Sequence, residues 1–206
     1  MSMIKKSIFP DGYGIAFLSV DLFMEEIRNI KCRARKFISY FNKNKDIYFH
    51  FIESGILVPF HPVNAGDVPV FIETDSDVFP VPEGYRILFQ YDDFYMKVGQ
   101  KGIVTLASFG HLEYEGKAIA DGKTSRSSLT GDGKECSDAV DFELKEGEYQ
   151  FSMIGLEKLS KTDFELKYDT GYAYGFHFRK PETIIKDNLE KCDDDRYDFC
   201  LSSHRK

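Results

Sequence analysis

The chain has 206 residues, 42% hydrophobic and 15% aromatic, enough to bury a core in one large domain or two small ones. Its 34 acidic and 27 basic side chains leave a net charge of −7, which argues against a general nucleic-acid binder, whose affinity comes from neutralising phosphate. Four scattered cysteines (Cys32, Cys136, Cys192, Cys200) form no C-x-x-C pair, and no apolar run approaches the length of a membrane span.

Pro10, Asp11, Gly12 and Gly14 interrupt the apolar stretch behind Lys5 and Lys6, so no secretory leader is read there. The expectation is a cytoplasmic protein with reduced thiols, although the spacing of Cys192 and Cys200 leaves room for a disulfide in an oxidising compartment. The abundance of Phe and Tyr favours strands, since both suit a half-buried pleated surface.

Taken in chain order, Ile4 to Phe9, the turn Pro10-Asp11-Gly12 and Ile15 to Val20 predict a hairpin. Phe23, Ile27, Ile30, Ala34, Phe37 and Phe41 recur at three- and four-residue steps, which predicts a helix from about 21 to 34 with Asp21 as its N-cap. Residues 36–52 read either as a strand hairpin or as a helix end followed by a strand, Ile47 to Ile52. Strands follow at Gly55–Phe60, Val68–Glu73, Arg86–Tyr91 and Ile103–Phe109, with Pro59, Pro69, Pro80 and Pro82 placing several at edges or strand starts. Residues 116–138 carry Gly116, Gly122, Gly131 and Gly133 with balanced charges and read as a long surface loop or linker. Strands return at Gln150–Ile154 and Tyr172–Phe178. A short helix is expected around Thr183 to Leu189, and Asp193-Asp194-Asp195 suggests a solvated terminus.

A near-repeat stands out. Phe79-Pro80-Val81-Pro82-Glu83-Gly84-Tyr85 leads into one alternating strand, and Phe142-Glu143-Leu144-Lys145-Glu146-Gly147-Glu148-Tyr149 into another. Each Gly supplies the freedom of a turn, and each Tyr starts the returning strand as a corner residue does. Tyr85, Ile87, Phe89 and Tyr91 are expected on one face, and Tyr149, Phe151 and Met153 likewise. The fold class predicted is mainly β: an antiparallel two-sheet β-sandwich, or two abutting β-lobes, with one N-terminal helix. The division is a β-rich lobe over 1–115, a loop over 116–138 and a second lobe with its tail over 139–206, or a single domain over 1–206.

Charge is unevenly placed. Residues 25–45 hold Arg28, Lys31, Arg33, Arg35, Lys36, Lys43 and Lys45 against Glu25 and Glu26, a net of +5; the stripe at 28–36 reads as a solvated helix face, with an acidic partner or nucleic acid as the alternative. Residues 66–95 hold Asp67, Glu73, Asp75, Asp77, Glu83, Asp92 and Asp93 against Arg86 alone, a net of −6. Asp75, Asp77, Asp92 and Asp93 cluster at predicted strand ends, where binding residues concentrate, and are the candidate partner-binding residues for a basic protein.

Catalytic motifs are missing. His50, His61, His111 and His177 would need to converge to hold a metal, and their spacing is unlike any compact ligand motif. His111-Leu112-Glu113-Tyr114-Glu115 would set an acid/base trio on one strand face, although an ordinary polar face explains it as well. Cys136 lies near Asp138 with His only at a distance, and nothing in the sequence places them together as a nucleophile pair; Gly131-Asp132-Gly133-Lys134 lacks the spacing of a phosphate loop. No catalytic residue, cofactor or metal is assigned. A carbohydrate- or small-molecule-binding sandwich is the alternative, with Tyr114, Tyr172 and Tyr174 as its exposed aromatics; a His-based metal hydrolase ranks behind it.

The stretch Val70 to Tyr91, with its Phe-x-Val-Pro-x-Gly-Tyr pattern, resembles a segment of small bacterial β-sandwich proteins, among them toxin-immunity proteins and competence protein J-like nuclease inhibitors. It covers about a tenth of the chain and leaves out the predicted helix and the 116–138 loop. The resemblance implies a cytoplasmic inhibitor that binds a toxin or nuclease, and it transfers no individual functional residue; the acidity, the lack of a long apolar run and the missing motifs add the expectation of a non-enzymatic chain with no nucleic-acid or membrane partner.

Overall fold

The computed structural model describes residues 3–11, 13–64, 66–120, 126–129, 135–167, 170–192 and 197–204. Strands β1 (Ile4–Ile8) and β2 (Ile15–Ser19) precede helices α1 (Val20–Asn29), α2 (Phe37–Lys43) and α3 (Lys45–Glu53). Next come β3 (Leu57–Phe60), β4 (Val68–Glu73), β5 (Tyr85–Val98) and β6 (Ile103–Ser108), then α4 (Phe109–Tyr114) and α5 (Gly116–Ala120). Strands β7 (Arg126–Leu129), β8 (Glu135–Glu143) and β9 (Gly147–Lys158), helix α6 (Asp163–Lys167), strand β10 (Tyr172–Arg179), helix α7 (Asn188–Cys192) and a 3-10 turn at Leu201–His204 complete the chain.

Among the described residues the strands make two five-stranded sheets, ordered β1-β4-β10-β9-β5 and β3-β2-β6-β8-β7. The first sheet draws strands from both sides of residues 116–138, and the second joins three strands from before them to β7, within them, and β8, which runs out of them. One core joins the two. Phe17 on β2 meets Phe151, Phe176 and Phe178 of the first sheet edge-on, with ring centroids 5.3, 4.7 and 5.4 Å away. It meets Phe60 and Phe142 of its own sheet at 6.2 and 5.7 Å. Edge-to-face packing suits the ring quadrupole and adds to the area each ring buries. No helix among the described residues is long and apolar enough to cross a membrane.

The sequence expectation of a mainly β chain with two sheets stands, but three parts of it need correction. First, one strand pair is parallel: β10 lies between β4 and β9, antiparallel to β9 and therefore parallel to β4. Second, β1 and β2 form no hairpin. β1 pairs with β4 and β2 with β3 and β6, so the chain between them crosses from one sheet to the other.

Third, there is more than one N-terminal helix. α1 stops at Asn29 because Lys31 takes a left-handed φ of 53°. The Cys32 N–H then reaches the Ile27 carbonyl and the Lys31 N–H the Arg28 carbonyl, a Schellman closure with Lys where Gly is usual. The apolar stripe resumes on α2, and α3 replaces the expected strand at Ile47–Ile52. Phe23, Phe37, Phe41 and Phe51 still meet in one cluster, drawn from three helices. Ser19, not Asp21, is the N-cap residue of α1, and the Asp21 carboxylate accepts the Lys101 N–H at 3.0 Å instead. The basic side chains Lys31, Arg33, Arg35 and Lys36 therefore sit on the loop after α1. His111-Leu112-Glu113-Tyr114 lies on α4, where Ser108 Oγ accepts the His111 N–H and Glu113 accepts the Ser39 N–H, capping α2 from across the fold.

The near-repeat forms the longest strand pair: β5 runs antiparallel to β9 from Tyr85↔Lys158 to Val98↔Gly147. Its second copy is a corner as expected. Gly147 has a positive φ, the Tyr149 hydroxyl donates to the Lys145 carbonyl at 2.7 Å, and Tyr149, Phe151 and Met153 face the core. In the first copy a register shift after Ile87 flips the alternation, so Phe89 joins the main core while Ile87, paired with Leu156, stays exposed on the opposite face. Of the segment expected as a loop, α5, β7 and the start of β8 are described; residues 121–125 and 130–134 lie outside the described residues, as do 193–196, which include the expected solvated Asp run. Beyond them the chain is anchored, not solvated: Phe199 and Leu201 are buried and Phe199 accepts the Tyr174 hydroxyl at 2.8 Å. The expected tail helix lies further on than 183–189, at Asn188–Cys192.

Because Phe17 touches rings of both sheets, Phe17→Ala should destabilise the fold by about 3–5 kcal/mol. Phe17→Leu should cost distinctly less, and urea unfolding followed by tyrosine fluorescence reads both values.

Candidate functional site

β10 decides what lies on the outer face of the first sheet. Tyr174, Phe176 and Phe178 point to the core, so Ala173, Gly175 and His177 point away from it. Gly175 leaves a bare stretch of backbone there, and the Phe79 ring fills it: a Cβ at Gly175 would stand 2.4 Å from Phe79 Cζ. Phe79 packs with Phe71, Ile154, Leu156 and Ala173 into a second, smaller apolar cluster. Residues 74–84 thus run as a strap across the outer face, pinned at the middle by Phe79.

Its start is fixed by Glu73. This carboxylate is 4% exposed and one of its oxygens accepts the N–H groups of Thr74, Asp75 and Ser76 at 3.1, 2.8 and 3.0 Å. Burial works to raise the Glu73 pKa, but these N–H donors outweigh it and hold the carboxyl below the ordinary range. His177 Nε2 donates to the Ser76 carbonyl at 2.7 Å, so His177 faces away from its Phe neighbours as expected but is buried beneath the strap. At the far end Gly84 turns with a φ of 81°, its carbonyl accepts the Leu159 N–H at 2.8 Å, and Tyr85 packs on Phe71.

The second pair of carboxylates comes from a β-bulge. Between Tyr91 and Phe94 the register shifts, and Asp92 and Asp93 face Ser152 together. Asp93 takes the left-handed φ of 63° that the bulge requires. Ser152 Oγ donates to Asp92 at 2.5 Å and Gln90 adds a second hydrogen bond at 2.8 Å. Asp93 lies 3.8 Å from the Arg179 guanidinium, and its carbonyl accepts from Lys191 at 2.8 Å.

The structure brings Asp75, Asp77 and Asp93 to the wall of one groove of about 500 Å³, which Arg179 and Lys180 also line. Asp92 is exposed but does not line it. Asp75 and Asp77 alternate with exposed groups, and Val78 beside them is 77% exposed. The strap therefore presents carboxylates and an apolar side chain together on a backbone tied down at both ends.

Sequence reading missed the residues that hold this arrangement: Glu73, Phe79, Gly175, His177 and Arg179. Glu73 was grouped with the surface acids; a carboxylate followed by Thr-Asp-Ser-Asp, all short polar residues that favour turns, was the available signal. Of the three aromatics expected to be exposed for carbohydrate, Tyr172 and Tyr174 are buried and Tyr114 is exposed. The four histidines of the metal reading are dispersed: His50 pairs with Glu26 on the helices, His61 lies against Phe109, His111 is buried in α4 and His177 sits under the strap.

No protein-family model and no curated protein matches the chain. Among solved structures, that of crocagin biosynthetic gene J is similar with a TM-score of 0.47 and 11% identity, over 89% of this chain and 100% of that one. ComJ from Bacillus subtilis, an inhibitor of the DNA degrading activity of NucA, is similar with a TM-score of 0.41 and 9% identity, over 86% and 98%.

Since the folded state lowers the Glu73 pKa, its contribution to stability is present above the unfolded value of roughly 4.3 and is lost as pH falls through the folded value. Urea midpoints of the parent and of Glu73→Ala should therefore be well separated at neutral pH and converge in acid; a separation that persists unchanged into strong acid would show that Glu73 acts by packing alone.

Proposed function

We propose that the chain is a non-enzymatic inhibitor that docks a basic partner protein through the acidic strap and bulge, Asp75, Asp77, Asp92 and Asp93. The observation that carries this reading is the fixing of the strap. Three N–H bonds to a buried carboxylate, one bond from a buried histidine to the Ser76 carbonyl and a ring seated on Gly175 hold exposed carboxylates on a preformed surface. A loop ordered before binding loses little entropy on docking, and clustered carboxylates steer a basic partner toward it. The kind of partner, a toxin or a nuclease, is the one implied by the Val70–Tyr91 resemblance, and ComJ is a neighbour that inhibits a nuclease.

In this reading the two sheets act as one sandwich and residues 1–206 as a single unit in the bacterial cytoplasm, since strands from both halves share the first sheet. Neither nucleic acid nor a membrane is a partner, and the surface works without cofactor or catalytic group.

Co-expression with the product of the adjacent gene, assayed for toxin or nuclease activity, tests the reading. The chain should neutralise that activity, and the double variant Asp75→Lys/Asp77→Lys should slow association by about tenfold at low salt, with the difference shrinking as salt is raised. No neutralisation, or equal association rates for parent and variant, would overturn it.

A further inference from the structure

Away from the strap, a cleft of about 470 Å³ opens among α2, α3, α7 and the start of α4. That volume lies within the roughly 300–1,000 Å³ of small-molecule sites. Aromatic side chains line it on several sides. Phe41 and Tyr48 lie 5.5 Å apart and Tyr48 and Phe49 6.0 Å apart on α2 and α3, while Phe109 enters from α4 with His61 at 5.8 Å. Ile52, fully buried, lies among them.

The polar groups are few and of one sign. In a chain with 34 acidic side chains, none of the described residues lining this cleft is Asp or Glu. Lys45 is the lining ammonium, exposed at the mouth, where it reaches Asn42 Oδ1 at 3.3 Å and lies 5.5 Å from the Tyr48 ring centroid. Flat rings on several sides select a flat apolar body, since aromatic faces stack on one another. The lysine at the mouth selects a negative end group.

We propose that this cleft binds a planar aromatic anion, a bicyclic carboxylate or sulfonate, with its rings among Phe41, Tyr48, Phe49 and Phe109 and its charge at Lys45. The site is independent of the acidic strap and of the partner proposed for it.

The test is a pair of titrations of the full chain followed by amide chemical shifts, one with 2-naphthoate and one with 2-naphthylmethylammonium, which has the same shape and opposite charge. Naphthoate should bind saturably, with the largest shifts in α2, α3 and around Phe109, and the cation about fivefold more weakly or worse. Lys45→Glu, at an exposed position, should remove or reverse that preference, and Asn42→Trp, placed at the mouth, should abolish binding while the amide spectrum elsewhere stays that of the folded parent. Lack of saturation by the folded parent, equal affinity for the two probes, or undiminished binding to Asn42→Trp would each overturn the proposal.

Discussion

The structure depends on one ring. Phe17 stands between the two sheets with Phe60 and Phe142 on its own side and Phe151, Phe176 and Phe178 on the other. These contacts turn the odd-numbered partners of β9 and the even-numbered partners of β10 inward, and strand geometry then sends their neighbours outward. What the core takes from β10, the outer face loses: it is left with Ala173 and Gly175, too small to close it. Phe79 closes it instead and carries the strap with it. The acidic surface is thus a consequence of core packing transmitted through one strand.

The strands that were legible in the sequence are uninterrupted apolar or alternating runs bounded by turn residues. β4 begins and ends where Val68 and Glu73 predicted, and β9 turns Tyr149, Phe151 and Met153 to one side as written. What hid the rest is local. Phe49-His50-Phe51 alternates like a strand, yet the buried pair Phe51 and Ile52 with half-buried Tyr48 fits a helical face equally well, and neighbouring rings decide for the helix. The end of α1 carries no glycine, because Lys31 occupies the left-handed position itself. A one-residue bulge leaves no mark in composition, so the shift after Ile87, which reverses the faces of Phe89 and Tyr91, was invisible.

The candidate site was legible as a concentration of charge but not as an architecture. Asp75, Asp77 and Asp93 do share a groove, although their separation along the chain says nothing of it. The bulge and the parallel pairing of β4 with β10 bring them together. Sequence counting also treats every carboxylate alike. Glu73 belongs to the interior and works by ordering backbone, while its neighbours belong to the surface. That division of labour, one buried acid fixing several exposed ones, is what distinguishes this loop from an ordinary solvated acidic stretch.

The central claim is that the strap is the docking surface and is already ordered before a partner arrives. Amide hydrogen exchange on the isolated chain and on its complex with the neutralised toxin or nuclease measures both halves of it. The account predicts slow exchange at Thr74, Asp75 and Ser76 in the isolated chain, and on binding further protection concentrated at residues 75–83 and 92–93. Fast exchange at those three amides in the isolated chain, or protection that appears elsewhere and leaves the strap unchanged, would contradict it.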